Sequence, residues 1–266
     1  MSEKKGIFFD IDDTLRRKSD GYLPPEIPDV LRQLKNNGHL VFIISGRSKS
    51  IFPKDILGLE KEGVFAAISS SNGQFAEAGK EIIHSNPLPR ADVEKMIKIC
   101  KANDWDYLMH SYNKLCASRL NYRTMTANYG IEPWFVNPNH YLEEDIYQMS
   151  LYLTDEESKI FENLLAQENP TEKYRTVPWF KFGCDALPES GSKLRSLLKI
   201  CEFFNLDIKN CFAFGDTFND MEMIKAAGVG VAMGNGSEEL KKVADFVADR
   251  LDNQGVEKAL KHFGLI

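Results

Sequence analysis

Five short, almost wholly apolar runs constrain this chain more than any other feature: Gly6 to Ile11, LVFII at 40–44, VFAAI at 64–68, CFAF at 211–214 and VGVAM at 229–233. A strand with one wet face alternates apolar and polar residues, so runs of this kind predict strands covered on both faces. Between the first two runs, Ile27, Val30, Leu31 and Leu34 recur at helical spacing, and Asn36-Asn37-Gly38 supplies a stop. Strand, helix and strand in that order predict a right-handed βαβ unit and a parallel sheet. The pattern returns near the C-terminus, with helices expected over Ser192–Phe204, Asp220–Ala227 and Ser237–Ala244. Glu238 and Glu239 suit the first turn of the last of these, beside the positive end of its dipole.

The texture between these blocks is different. SNPLPR at 85–90 has two prolines in three residues and reads as a linker. Ala91–Ala102 is an amphipathic helix candidate. YQMSLYL at 147–153 alternates, so Tyr147, Met149, Leu151 and Leu153 are expected on one buried face of a sheet whose other face is wet. A helix near 155–167 and strands near 173–184 complete the stretch. The apolar runs resume after it, so the chain is expected to be an α/β protein with a discontinuous core, 1–84 and 185–266, interrupted by an inserted α+β domain over 85–184.

Bulk properties narrow the partners. The 266 residues carry a net charge of −6, which argues against general attraction to nucleic acid or to anionic membranes. Five cysteines, odd in number and without a C-x-x-C pair, argue against a disulfide framework or a structural zinc site and fit the reducing cytoplasm. The apolar stretch near the N-terminus is too short for a signal-peptide core, and no segment approaches the roughly 18 apolar residues of a membrane span. A monomer or small homo-oligomer is expected.

FFDIDDTL at 8–15 crowds Asp10, Asp12 and Asp13 into four positions at the end of an apolar run. Like charges there repel one another and are costly to desolvate. Parallel sheets take their ligands outside the carboxyl ends of their strands. Asp10 and Asp12 fall at one such end, Ser45-Gly46-Arg47 at a second and Gly215-Asp216 at a third. A cation offsets gathered carboxylates, and Mg²⁺, with its hard oxygen ligands and open positions for water and phosphate oxygens, accounts for the cluster.

FFDIDDTL, SGR at 45–47, Lys193 in SGSKL and GDTFND at 215–220 resemble the four ordered motifs of the haloacid dehalogenase superfamily of phosphatases. SNG at 71–73, VAMGNGSEELKKVADFV at 231–247 and GV at 255–256 resemble its Cof-type, sugar-phosphatase-like branch. The resemblance implies a Rossmann-like parallel-sheet core with an inserted cap, and a Mg²⁺-dependent phosphomonoester hydrolase acting on a small phosphorylated metabolite, a sugar phosphate above all. Carried onto this chain, Asp10 is the nucleophile and Asp12 the proton donor and acceptor. Asp10, the Asp12 carbonyl and Asp216 hold the metal. Ser45 and Lys193 stabilise the transferring group. Gly46, Arg47, Asn219, Asp220 and Asn235 are assigned to the phosphate or to the residues behind it, with Asn235 contacting phosphate or orienting Lys193. Thr217 departs from the glycine common at that position. Asp13 is expected only to shape the turn.

Competing motifs fail on spacing. GSKL is no P-loop, because position 186 is Ala where the first glycine belongs, and GVGVAMG at 228–234 brings its third glycine one place late for a dinucleotide fold. In the insertion, His110, Tyr112, Asn113, Lys114, Arg119 and Trp134 are candidate substrate contacts, but packing or surface roles are favoured for each. A phosphomutase sharing the aspartyl-phosphate, and a non-enzymatic phosphate-ligand sensor, are the alternatives.

Overall fold

Strand β1 (Gly6–Phe9) is buried along its whole length, and its two faces carry different partners. The computed structural model describes residues 4–127 and 134–266. The chain divides into two compact units, one made of residues up to 46, 53–84 and 192–266, the other of 47–52 and 85–191.

In the first unit β1 leads through α1 (Ile27–Asn36) to β2 (Leu40–Ile44), and α2 (Lys54–Lys61) precedes β3 (Ala67–Ser70), β4 (Phe75–Ala78) and β5 (Glu81–Ser85). The third strand starts later than the VFAAI run. Val64 and Phe65 are buried on the approach, whereas the ladder with β2 pairs Phe42 with Ala67 and Ile44 with Ser69. Gly79, at φ +61°, turns β4 into β5.

The second unit contains α3 (Arg90–Ala102), β6 (Tyr107–His110), β7 (Leu115–Ala117), α4 (Tyr122–Ala127), β8 (Phe135–Val136), β9 (Gln148–Leu151), α5 (Asp155–Gln167), β10 (Tyr174–Phe180) and β11 (Gly183–Pro188). Its sheet runs β10-β11-β9-β6-β7-β8. The expected boundary at 184/185 cuts through β11. The observed division falls at 191/192, because β11 completes ladders with β9 and β10 and the chain leaves this sheet only after them.

One face of this sheet packs Met109, Met149 and Leu151 against Val93, Met96, Cys100 and Phe161 from α3 and α5. The expectation of a wet opposite face is corrected. Gln148, Ser150 and Tyr152 are also buried, and Tyr152 packs with Leu108, Leu115 and Ala117 beneath Ile51, Trp134 and Trp179. Alternation therefore reports two buried faces of unlike polarity. The polar one holds a chain of bonds. Ser150 Oγ donates to Asp185 Oδ1 at 2.6 Å, His110 Nε2 meets Ser150 Oγ at 2.8 Å, and His110 Nδ1 meets Ser48 Oγ at 3.1 Å. Because the Ser150 proton is committed to Asp185, Nε2 must carry the imidazole proton and Ser48 must donate to Nδ1.

The remaining elements of the first unit are α6 (Lys193–Phe203), β12 (Cys211–Gly215), α7 (Met221–Ala226), β13 (Val229–Ala232), α8 (Glu238–Lys241), β14 (Phe246–Val247) and α9 (Gly255–His262). The sheet order is β14-β13-β12-β1-β2-β3-β4-β5, parallel from β14 to β3 and antiparallel between β3 and β4. Phe8 stacks on Phe42 at 4.5 Å within a core that includes Leu197, Ile200 and Met223 of α6 and α7. Phe9 meets Phe214 at 4.8 Å on the other face, where Phe212 meets Phe263 at the end of α9. Each ring of this size, fully buried, contributes about 1.5–3 kcal/mol. All five cysteines are free and buried. No helix among the described residues is long and apolar enough to cross a membrane.

Burial pushes the His110 pKa down to about 3. An unfolded histidine takes up a proton below about pH 6.5 and the folded one does not, so acid from about 6.5 downward favours the unfolded chain. His110→Gln should lower the thermal midpoint at pH 8 by removing bonds to Ser48 and Ser150, and the gap from the native protein should narrow between pH 6.5 and 4; calorimetric melts across that range test this.

Candidate active site

The chain leaves β1 to β2 on one side and returns to β12 on the other, so the carboxyl ends of β1 and β12 form a topological switch point, where such sheets leave a crevice. Asp10 follows β1 and Asp216 follows β12, while Ser45 follows β2. Lys193 reaches the same edge from the first turn of α6. Ser192 sets that helix start, its Oγ accepting from the Arg195 amide at 3.3 Å.

The Lys193 ammonium is buried and lies 2.7 Å from Asp10 Oδ1 and 2.6 Å from Asp220 Oδ1. The second oxygen of Asp220 accepts the amides of Asp216 and Thr217, at 3.0 and 3.2 Å. Both Asp220 oxygens are thus occupied by protein donors, which makes it the brace of the 215–220 loop. Gly215 is required there, since a Cβ on it would lie 2.5 Å from the Asp220 side chain. Thr217 has φ −137° and ψ −174°, extended backbone open to any residue, and its carbonyl accepts the Asp220 amide at 3.0 Å. The departure from glycine therefore carries no strain.

Carboxylate oxygens of Asp10, Asp216 and Asp220 lie within 4.8 Å of one another. Burial, with Asp220 and Asp10 adding repulsion, pushes Asp216 up to about 9. Asp10 rises to about 7, driven by burial; Lys193 opposes the rise, and the charges of Asp220 and Asp12 add to it. One ammonium does not offset this group. Hard oxygen donors with uncompensated negative charge fit Mg²⁺, so the residues present suit the implied ion.

The other expected residues divide. Ser45 is buried, its amide donating to the Ser69 carbonyl, and Asn219 Nδ2 donates to Asn72 Oδ1 at 3.0 Å close to Gly46. Asp13 takes φ +58° and accepts the Lys18 amide, as a turn residue does. Asn235 does not orient Lys193. Its Nδ2 donates to the Asp13 carbonyl at 2.7 Å and its Oδ1 accepts the Leu251 amide at 2.8 Å, so it ties the β1 turn to the C-terminal segment. Arg47 falls with the second unit and donates to the Ile51 carbonyl at 3.2 Å. In that unit Lys114 pairs with Glu144, Arg119 pairs with Asp104 and Asp106, and Trp134 packs against the Tyr152 cluster. Sequence reasoning passed over Asn72 and the Lys193–Asp220 pair; SNG at 71–73 carried the only signal for the former.

The model of the haloacid dehalogenase-like hydrolase family matches residues 7–260. The chain belongs to this family. A Bacillus subtilis (strain 168) relative named "Putative phosphatase YkrA" is 33% identical over 267 residues, covering 99% of both chains. The 5-amino-6-(5-phospho-D-ribitylamino)uracil phosphatase YitU of the same organism is 24% identical, over 97% of this chain and 96% of its own. A solved structure described as the subclass IIB sugar phosphatase BT4131 superposes with a TM-score of 0.87 at 25% identity, covering 99% of this chain and all of the other. As a haloacid dehalogenase-like enzyme of the Cof-type branch, the protein is a phosphatase.

Replacing Lys193 by Met should leave two buried carboxylates facing each other without a counter-charge, at a cost of about 3–5 kcal/mol at neutral pH. Urea unfolding at pH 7 measures it; a loss below about 1 kcal/mol would contradict the pairing.

Proposed function

We propose that the protein hydrolyses phosphate monoesters of small metabolites, sugar phosphates above all, with Mg²⁺ and through an aspartyl-phosphate. The observation that carries this is the Asp10–Lys193–Asp220 pairing beside Asp216 at the carboxyl edge of the parallel sheet. The name of the sugar phosphatase that this fold matches over its full length supports the substrate class. Five free, buried cysteines and a net charge of −6 support a reducing cytoplasmic setting and a small soluble substrate.

The Asp10 carboxylate attacks phosphorus, forming an acyl-phosphate bond as the bond to the ester oxygen breaks. Lys193 holds Asp10 Oδ1, which orients the carboxylate and favours its ionised form. Asp12 gives its proton to the leaving alkoxide. It then takes one from the water that attacks phosphorus, which releases phosphate and restores Asp10. Ser45 supplies a hydrogen bond to a phosphate oxygen. Asp10, Asp216 and the Asp12 carbonyl would hold Mg²⁺, whose positive charge would draw electron density from the phosphate oxygens.

Asp10→Asn should cut turnover of p-nitrophenyl phosphate by at least about a thousandfold in a sample that circular dichroism shows to be folded; retained activity in a pure sample refutes the mechanism. Mg²⁺ should raise the midpoint of the native protein and EDTA should reverse it, with a smaller shift in Asp216→Asn. A panel of phosphate esters assayed with and without Mg²⁺ identifies the substrate.

A further inference from the structure

The turn after β3 is the most strained piece of backbone at the site. Ser71 and Asn72, neither a glycine, take consecutive left-handed conformations at φ +52° and +53°, and both are buried. Such geometry costs of order 1–3 kcal/mol per residue and persists only where surroundings enforce it. Here they do so from three sides. The Asn72 amide donates to the Ser45 carbonyl at 3.0 Å, and its Oδ1 accepts from Asn219 Nδ2 at 3.0 Å. Its side chain lies against Gly46, where a Cβ would sit 3.1 Å from Oδ1. Gly73, at φ +86°, presses on the Ser192 carbonyl so closely that a Cβ would come within 2.2 Å of it. One short turn thus touches Ser45-Gly46, the residue preceding Lys193, and Asn219, which arrive from three distant parts of the chain. Asn219 Oδ1 is buried without a hydrogen-bond partner, so the bond from its Nδ2 to Asn72 is what fixes the direction of that lone pair.

We propose that Asn72 is a positioning residue for phosphoryl transfer, holding Ser45-Gly46 and the Asn219 amide in register so that their polar atoms are set before phosphate arrives; this rests on the phosphatase mechanism above. Groups set in advance save the ordering cost at the moment of binding and reaction; of these the Ser45 hydroxyl can donate to phosphate, whereas Asn219 Oδ1 can only accept. Asparagine serves because it both tolerates the left-handed region and supplies the acceptor.

Asn72→Gly is the decisive variant, since glycine accepts the same φ and only the amide is lost. Calorimetric titration with inorganic phosphate, in excess Mg²⁺, should show Kd raised at least about tenfold, and kcat/KM for p-nitrophenyl phosphate should fall by a similar factor. The thermal midpoint should stay within about 2 °C of the native value. The Asn72→Gly/Asn219→Ala double variant should be no worse than the worse single one, because the two residues act as one unit. Unchanged phosphate affinity, losses that multiply in the double variant, or a lowered midpoint without a change in Kd would each overturn the inference. Should Asn72→Gly not yield folded protein, Asn72→Ser is judged by the same numbers. A native protein that binds phosphate but turns over no ester refutes the hydrolase mechanism and leaves Asn72 judged on binding. One that binds no phosphate overturns the role of Asn72.

Discussion

A buried ammonium held between two carboxylates is the interaction around which the first unit is arranged. Removing Lys193, Asp10 and Asp220 from water costs several kcal/mol per ion, and only short, well-directed bonds recover it. The 2.7 and 2.6 Å contacts do so, and they join the end of β1, the start of α6 and the loop after β12. Chain segments almost 200 residues apart in sequence meet at one atom, Lys193 Nζ. The glycines nearby follow from that meeting: without Gly215 the Asp220 side chain has no room, and without Gly236, whose Cβ would lie 2.5 Å from the Asp216 carbonyl, the two loops at this edge do not close.

The same arrangement divides labour among the acids. Asp220 spends both oxygens on protein donors and so serves as scaffold. Asp10 and Asp216 have raised pKa values because burial and mutual repulsion outweigh the single cationic side chain. A cation bound beside Asp10 and Asp216 would relieve this stored electrostatic cost.

Much of this was legible in the order of residues. Continuous apolar runs located β1, β2, β12 and β13 to within a residue or two, because strands covered on both faces leave no positions for polar side chains. The motif residues at the ends of β1, β2 and β12 followed from the parallel sheet. Elements set by tertiary context were harder to see. The two-residue β14 and the helix α2 carry weak periodic signals, and β3 is placed by its ladder with β2 rather than by its own hydrophobicity. In the insertion, alternation at 147–153 was visible but its meaning was not. Whether Ser150 faces water or a buried polar chain depends on residues 48, 110 and 185, far away in sequence.

The main strands, their helical cover and the identity of the acids can be read along the chain, since apolar period and residue chemistry are local properties. Packing in three dimensions settles which acid is brace and which lack a full counter-charge, that Asn235 ties down a turn instead of touching Lys193, and that the turn holding Asn72 stands where three motifs converge. Those outcomes depend on distances of a few ångströms between residues remote in the chain, and neither spacing nor composition encodes such distances until the core has packed.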